Sequence, residues 1–124
     1  MNRLVAALGA VCVSVLPAGG PAAAHHSFGM FDMEKDVTYT GVVTEYKWAN
    51  PHAHITVENK AEPGVDATTV GIWDVEGGSM NIMGRQGWTR ATFKAGDPIT
   101  LVGHPMKDGS KGVSLFYAIM PDGK

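Results

Sequence analysis

Two adjacent histidines, His25 and His26, follow directly on Ala22-Ala23-Ala24, and three more stand at His52, His54 and His104. Imidazole nitrogens are metal donors, and an N-terminal histidine is a special one. Its α-amine and its Nδ1 can chelate a single ion. One further imidazole completes a T-shaped set of three nitrogens, the histidine brace, and planar nitrogen sets suit Cu(II). His26 offers another mode, through the amine, a deprotonated backbone amide and the imidazole at position two. The stricter copper motif with histidine at position three is absent, because Ser27 stands there.

Such chelation requires His25 to become an N-terminus, and the preceding residues supply the means. Arg3 is a short positive region, and Leu4 to Leu16 is an apolar run interrupted only by Gly9 and Ser14. Pro17 to Pro21 breaks any helix, and Ala22-x-Ala24 places small residues where a signal peptidase reads them. Residues 1–24 are therefore expected to be a signal peptide, with cleavage after Ala24 and a periplasmic or secreted product. The run is shorter than the roughly 20 apolar residues of a membrane span. Cys12 lies inside it behind Gly9-Ala10-Val11, which fits a lipidation site poorly.

His52 and His54 share one face of an expected strand, about 6.6 Å apart, because side chains alternate with period two. Two imidazoles at that spacing can share an ion, although a polar outer face is also ordinary for a strand. His52 follows Asn50-Pro51 at a turn, and His104 ends another strand at "GHP". The expected metal ligands are His25, His52 and His104, with His26 and His54 as further candidates and copper as the metal.

The elements that must position these residues are mostly strands. "DVTYTGVVTEYKW" (36–48) is rich in Val, Thr and Tyr, with Gly41 marking a bulge or bend. "HAHITVEN" (52–59) alternates, and 68–75 reads as a third strand. Ser79 and Gly87 bracket a short helix as N-cap and stop. Residues 99–103 and 113–120 give two more strands. Three strands, a short helix and two strands predict an all-β fold, a small five-stranded barrel of the OB-fold kind with its helix between the third and fourth strands. A β-sandwich or an SH3-like barrel would give a similar string. Residues 25–35 are expected to be an extended arm and 36–124 the barrel. The expected core is Val43, Ile55, Val57, Ile72, Leu101, Leu115 and Tyr117. In an OB-fold the loops after the first and fourth strands contribute to one binding region, so His52 and His104 are expected to be neighbours.

Removing 24 of the 124 residues leaves 100, enough for one small domain. Losing Arg3 from the 10 basic residues leaves 9 against 12 acidic ones, a formal charge of −3. That balance argues against nucleic acid as a partner, and the cleaved chain has no evident means of holding a membrane. The single cysteine departs with the leader, so no disulfide is available. All five histidines and six of the seven methionines remain. Thioethers bind Cu(I). Met80 and Met83, at helical spacing, suit a core; Met30, Met33 and Met106 are less easily assigned to one. No nucleophile motif and no H-E-x-x-H occurs, so the chain is not expected to be an enzyme.

The phrases "HHSF", "FD", "GVVTEYKWANPHA", "RQGW", "KAGDPITLVGHP", "KDGS" and "PDG" together resemble a family of small exported bacterial proteins of unknown function. The likeness runs from His25 to the end. Its most specific pieces are the His-His-Ser-Phe start and the Asn-Pro-His-Ala turn. His54 departs from it, standing where an aromatic residue such as Trp is expected. The resemblance implies a single exported β domain and no particular reaction.

The residues thus point to an exported metal-binding protein, most naturally for copper, in metal handling or delivery, with the metal ion and a periplasmic protein as partners. The alternative is a metal-free OB-fold module that recognises a peptide, a glycan or an envelope protein, with Trp48 and Trp88 as stacking surfaces. A copper oxidase of the brace type ranks last, since 100 residues leave little surface to shape around a substrate.

Overall fold

A computed structural model describes residues 27–120 and 122–124. The expected signal peptide, its cleavage site and His25 and His26 lie outside the described residues. The described chain forms a short helix α1 (Ser27–Met30) and strands β1 (Val37–Lys47), β2 (His54–Asn59) and β3 (Gly71–Glu76). Helix α2 (Met80–Arg85) follows, then β4 (Pro98–Pro105) and β5 (Gly112–Ile119). The strands close a barrel in the order β1-β2-β3-β5-β4, the expected five-stranded Greek key with its helix between β3 and β4. Only β3 and β5 pair in parallel, through Asp74–Glu76 and Gly112–Ser114.

One long strand makes the closure possible. The first half of β1 pairs with β4, from Val37 opposite Gly103 to Val42 opposite Pro98. Its second half pairs with β2, from Val42 opposite Glu58 to Lys47 opposite His54. The handover falls at Gly41, where an added Cβ would meet the Glu58 carbonyl oxygen and come within 2.9 Å of the Val57 side chain. The bulge itself lies just beyond, between Val43 and Glu45. Thr44 and Glu45 both point outward there, which returns Tyr46 to the inner face.

The core follows from this alternation. Tyr39, Val43, Ile55, Val57, Trp73, Val75, Leu101 and Val113 fill it, and Phe93 and Ile99 complete it. The Tyr39 and Trp73 rings pack 4.7 Å apart. Trp73 Nε1 donates to the Thr69 carbonyl at 2.8 Å, and the buried Asn59 amide donates to the same oxygen at 2.9 Å. Burial holds the Tyr39 phenol above its ordinary titration range.

Three core expectations are corrected. Ile72 is 61% exposed, because β3 turns its Trp73 and Val75 face inward instead. Tyr117 is 48% exposed. A register shift opposite Val102 and Gly103 leaves Phe116 and Tyr117 both outward before Ala118 turns in. Leu115 packs against the core but is only half-buried. The expected extended arm also contains the helical turn α1, after which Phe31 bridges Met106.

Beyond β3, Ser79 caps α2 by accepting from the Ile82 amide at 3.3 Å, as its residue type predicts. Asn50 Oδ1 accepts from the Met80 amide at 3.0 Å and ties the β1–β2 loop to the helix. Among the described residues no helix is long and apolar enough to cross a membrane.

A turn ending at Asp97 docks on the β1 bulge, with the Val43 amide donating to the Asp97 carbonyl at 2.8 Å. The Asp97 carboxylate accepts from the Lys94 amide at 2.9 Å and pairs with its ammonium at 3.2 Å. The backbone bond above all holds this carboxyl below its ordinary range. A depressed folded pKa means the stabilisation is complete above the unfolded value of about 3.9 and is lost as pH falls through the folded value. Thermal midpoints measured from pH 6 to pH 3 should therefore fall in acid, and less steeply in Asp97→Asn. Identical slopes would show that the turn contributes nothing to acid sensitivity.

Candidate functional site

The three described histidines share one device. His52 sits in the β1–β2 loop, where its Nδ1 donates to the Gly77 carbonyl at 3.0 Å and lies 3.4 Å from Glu76 Oε1. His54 opens β2 on the outer face, with Nδ1 2.9 Å from Asp74 Oδ1. His104, near the end of β4, donates from Nδ1 to the Lys35 carbonyl at 2.9 Å and stands 3.2 Å from Asp36 Oδ1. A carbonyl or a carboxylate can only accept, so each Nδ1 carries the proton. The lone pair then belongs to Nε2. Metal-binding histidines are commonly fixed this way, with the other ring nitrogen held by an oxygen.

Strand register distributes these rings. His54 faces Glu76, Glu76 faces Ser114, and Ser114 faces His104. They form one row on the outward face of four strands, at whose end His104 is itself buried. Neighbouring strands lie about 4.8 Å apart, so the ends of the row are three strand spacings, about 14 Å, apart around the barrel wall. Nitrogens that bind an ion at about 2 Å cannot span that distance. Among the described residues, no three His, Cys, Asp or Glu side chains gather in a way that could hold a metal.

The β4–β5 loop is placed differently from the expectation. Gly109 and Ser110 share a cavity with Thr68 and Thr69 of the β2–β3 connection, whereas His52 lies against Gly77. His52 and His104 instead meet a common feature from two directions. His52 lines a groove of about 550 Å³ that runs between α2 and the β5 residues Ser114 to Ala118. Phe116 is one wall of this groove, and the His104 ring stacks on Phe116 at 5.6 Å. His104 thus backs an aromatic wall, while His52 belongs to the groove itself.

The arm reaches the same place. Phe28 lines the groove and is 70% exposed. His25 precedes it by three residues. His25 itself lies outside the described residues.

Two participants escaped the sequence reading. Glu76 stands beside His52, opposite His54 and in the groove lining. The third strand expected from the sequence ends at Val75 and turns its Ile72 face inward, so both the outward position of Glu76 and its neighbours follow only from the structure. Phe116 is outward by alternation from Val113 and Leu115, but its stacking against His104 follows only from the pairing of β5 with β4.

Residues 11–114 match the model of a family of unknown function, DUF6152. No curated protein matches the chain.

Proposed function

The chain belongs to the DUF6152 family, and from its own residues we propose that it is an exported copper-binding protein, periplasmic or secreted, that handles or delivers the metal. His25 would hold the ion through its amine and imidazole, with His52 as the further imidazole. His26 and His54 are auxiliary donors nearby in sequence, and His104 supports the site by backing Phe116 as well as being a candidate donor. Glu76, near His52, would offset part of the positive charge. Copper would supply redox and Lewis-acid chemistry, and the protein's own part is to bind and orient it.

One observation carries this reading. His52 is fixed in its Nε2 lone-pair tautomer by the Gly77 carbonyl, in a groove also lined by a residue only three positions from His25. Such a donor set would suit copper while requiring only one ligand, His52, from the barrel. The test is the protein exported by its own leader. Intact mass is expected to give a start at His25, and metal analysis one copper per chain. A different start, or a metal-free product from copper-supplemented cells, would overturn the reading.

A second reading has its own support. Phe28, Ile82, Phe116 and Tyr117 are exposed around the groove, as befits a metal-free module for a peptide, glycan or envelope protein. Equal ligand binding with and without copper would favour it.

A further inference from the structure

A second cavity, of about 290 Å³, shares Glu76 with the groove, and its lining also includes Met30, Met106 and Asp74. The two methionines arrive from distant parts of the sequence. Asp32 donates its amide to the Pro105 carbonyl at 2.8 Å, Phe31 bridges Met106, and Lys107 donates to the Met30 carbonyl at 2.9 Å. This short ladder fixes the arm against the end of β4. Gly112 then leaves room for one thioether: an added Cβ there would lie 3.3 Å from the Met106 sulfur. Gly112 is the register partner of Asp74, and Met106 and Asp74 line the same cavity. Asp74 in turn holds His54 Nδ1 at 2.9 Å.

Neither methionine is needed by the core. Met30 is 44% exposed, and Met106 is only half-buried. A thioether is a poor ligand for hard cations and a good one for soft monovalent ions. Asp74 and Glu76 add negative charge to the cavity wall. The cation at the cavity, Lys111, is turned elsewhere: its ammonium donates to the Val70 carbonyl at 3.1 Å and lies 4.9 Å from the Trp73 ring centre. We propose that Met30 and Met106 form a soft-metal site for Cu(I), distinct from the site at His25, with Asp74 and Glu76 balancing the charge. The site binds an ion in the reduced state and needs no electron transfer to do so.

Silver(I) is the probe, because it mimics Cu(I) and does not change oxidation state. The exported protein, with methionine methyl groups carrying ¹³C, is titrated with silver nitrate in chloride-free buffer and followed by nuclear magnetic resonance. The methyl signals of Met30 and Met106 are expected to move together at one equivalent, while those of Met80, Met83 and Met120 stay. Outer-sphere partners of metals are typically worth about 10–100-fold in affinity. Loss of both direct donors in Met30→Leu/Met106→Leu should therefore cost at least about a hundredfold. Unmoved Met30 and Met106 methyls in the parent overturn the site, as does a double variant that binds silver like the parent. Cu(II) titration of the same samples separates the two proposals. Lost Cu(II) binding with moving methyls defeats the His25 reading alone, and retained Cu(II) binding with static methyls defeats the methionine site alone.

Discussion

Extending the mature chain by one glycine ahead of His25 is expected to weaken Cu(II) binding by at least about a hundredfold, or about 2.7 kcal/mol. The extension leaves every imidazole in the sequence in place. What it removes is the adjacency of a free amine and an Nδ1 on the same residue, and with it the chelate ring. His25→Ala should weaken binding as much or more, since it removes the imidazole itself. His52→Ala should weaken it by a smaller factor, because one monodentate donor is lost and the chelate survives. The order of the three variants matters more than any single value. A solvated histidine cluster would rank them by imidazole count and would not register the glycine. Copper titration with electron paramagnetic resonance checks the order. Equal binding by native and extended chains would reject the chelate and leave the groove as a metal-free recognition surface.

How the groove and its histidines arise shows what a sequence can disclose. Strand existence was legible because Val, Thr and Tyr at alternate positions state which face is inward, and β2 kept that alternation without a break. The helix was legible because Ser79 is a good cap. The two irregularities were not. A bulge is one residue of slippage between strands, decided by packing on both, and every outward residue beyond it changes sides. That is why Tyr117 left the core and stands outward beside Phe116. The histidines were identifiable as donors by type alone. Their separation was not, since it depends on the row from His54 through Glu76 and Ser114 to His104. The pair Met30 and Met106 was hidden for the same reason: a short ladder between residues 30–32 and 105–107 brings it together.

The closed barrel makes Leu101 the residue whose truncation should harm stability most among the leucines. Leu101 is fully buried on β4, facing the core between β1 and β5. Leu101→Ala removes buried methyl groups and leaves a cavity that a closed barrel cannot easily collapse, so a loss of about 2–5 kcal/mol is expected. For a domain of this size each kcal/mol lowers the thermal midpoint by roughly 4–8 °C. Leu115→Ala, half-buried at the groove, should cost clearly less, since solvent already reaches part of its side chain. Gly103, the next inward position on β4, fails in the opposite sense. An added Cβ would run into the Val113 side chain and lie 2.6 Å from the Ser114 carbonyl oxygen. Val113 is fully buried and the Ser114 carbonyl is backbone, so neither can swing away. Gly103→Ala should therefore lose about 1–3 kcal/mol through overpacking, although it adds only one methyl group. Denaturant melts of the three variants test the arrangement. A Leu115→Ala variant as damaged as Leu101→Ala, or a neutral Gly103→Ala, would mean that β4 and β5 are not held in this register, and the aromatic wall built on that register would fall with it.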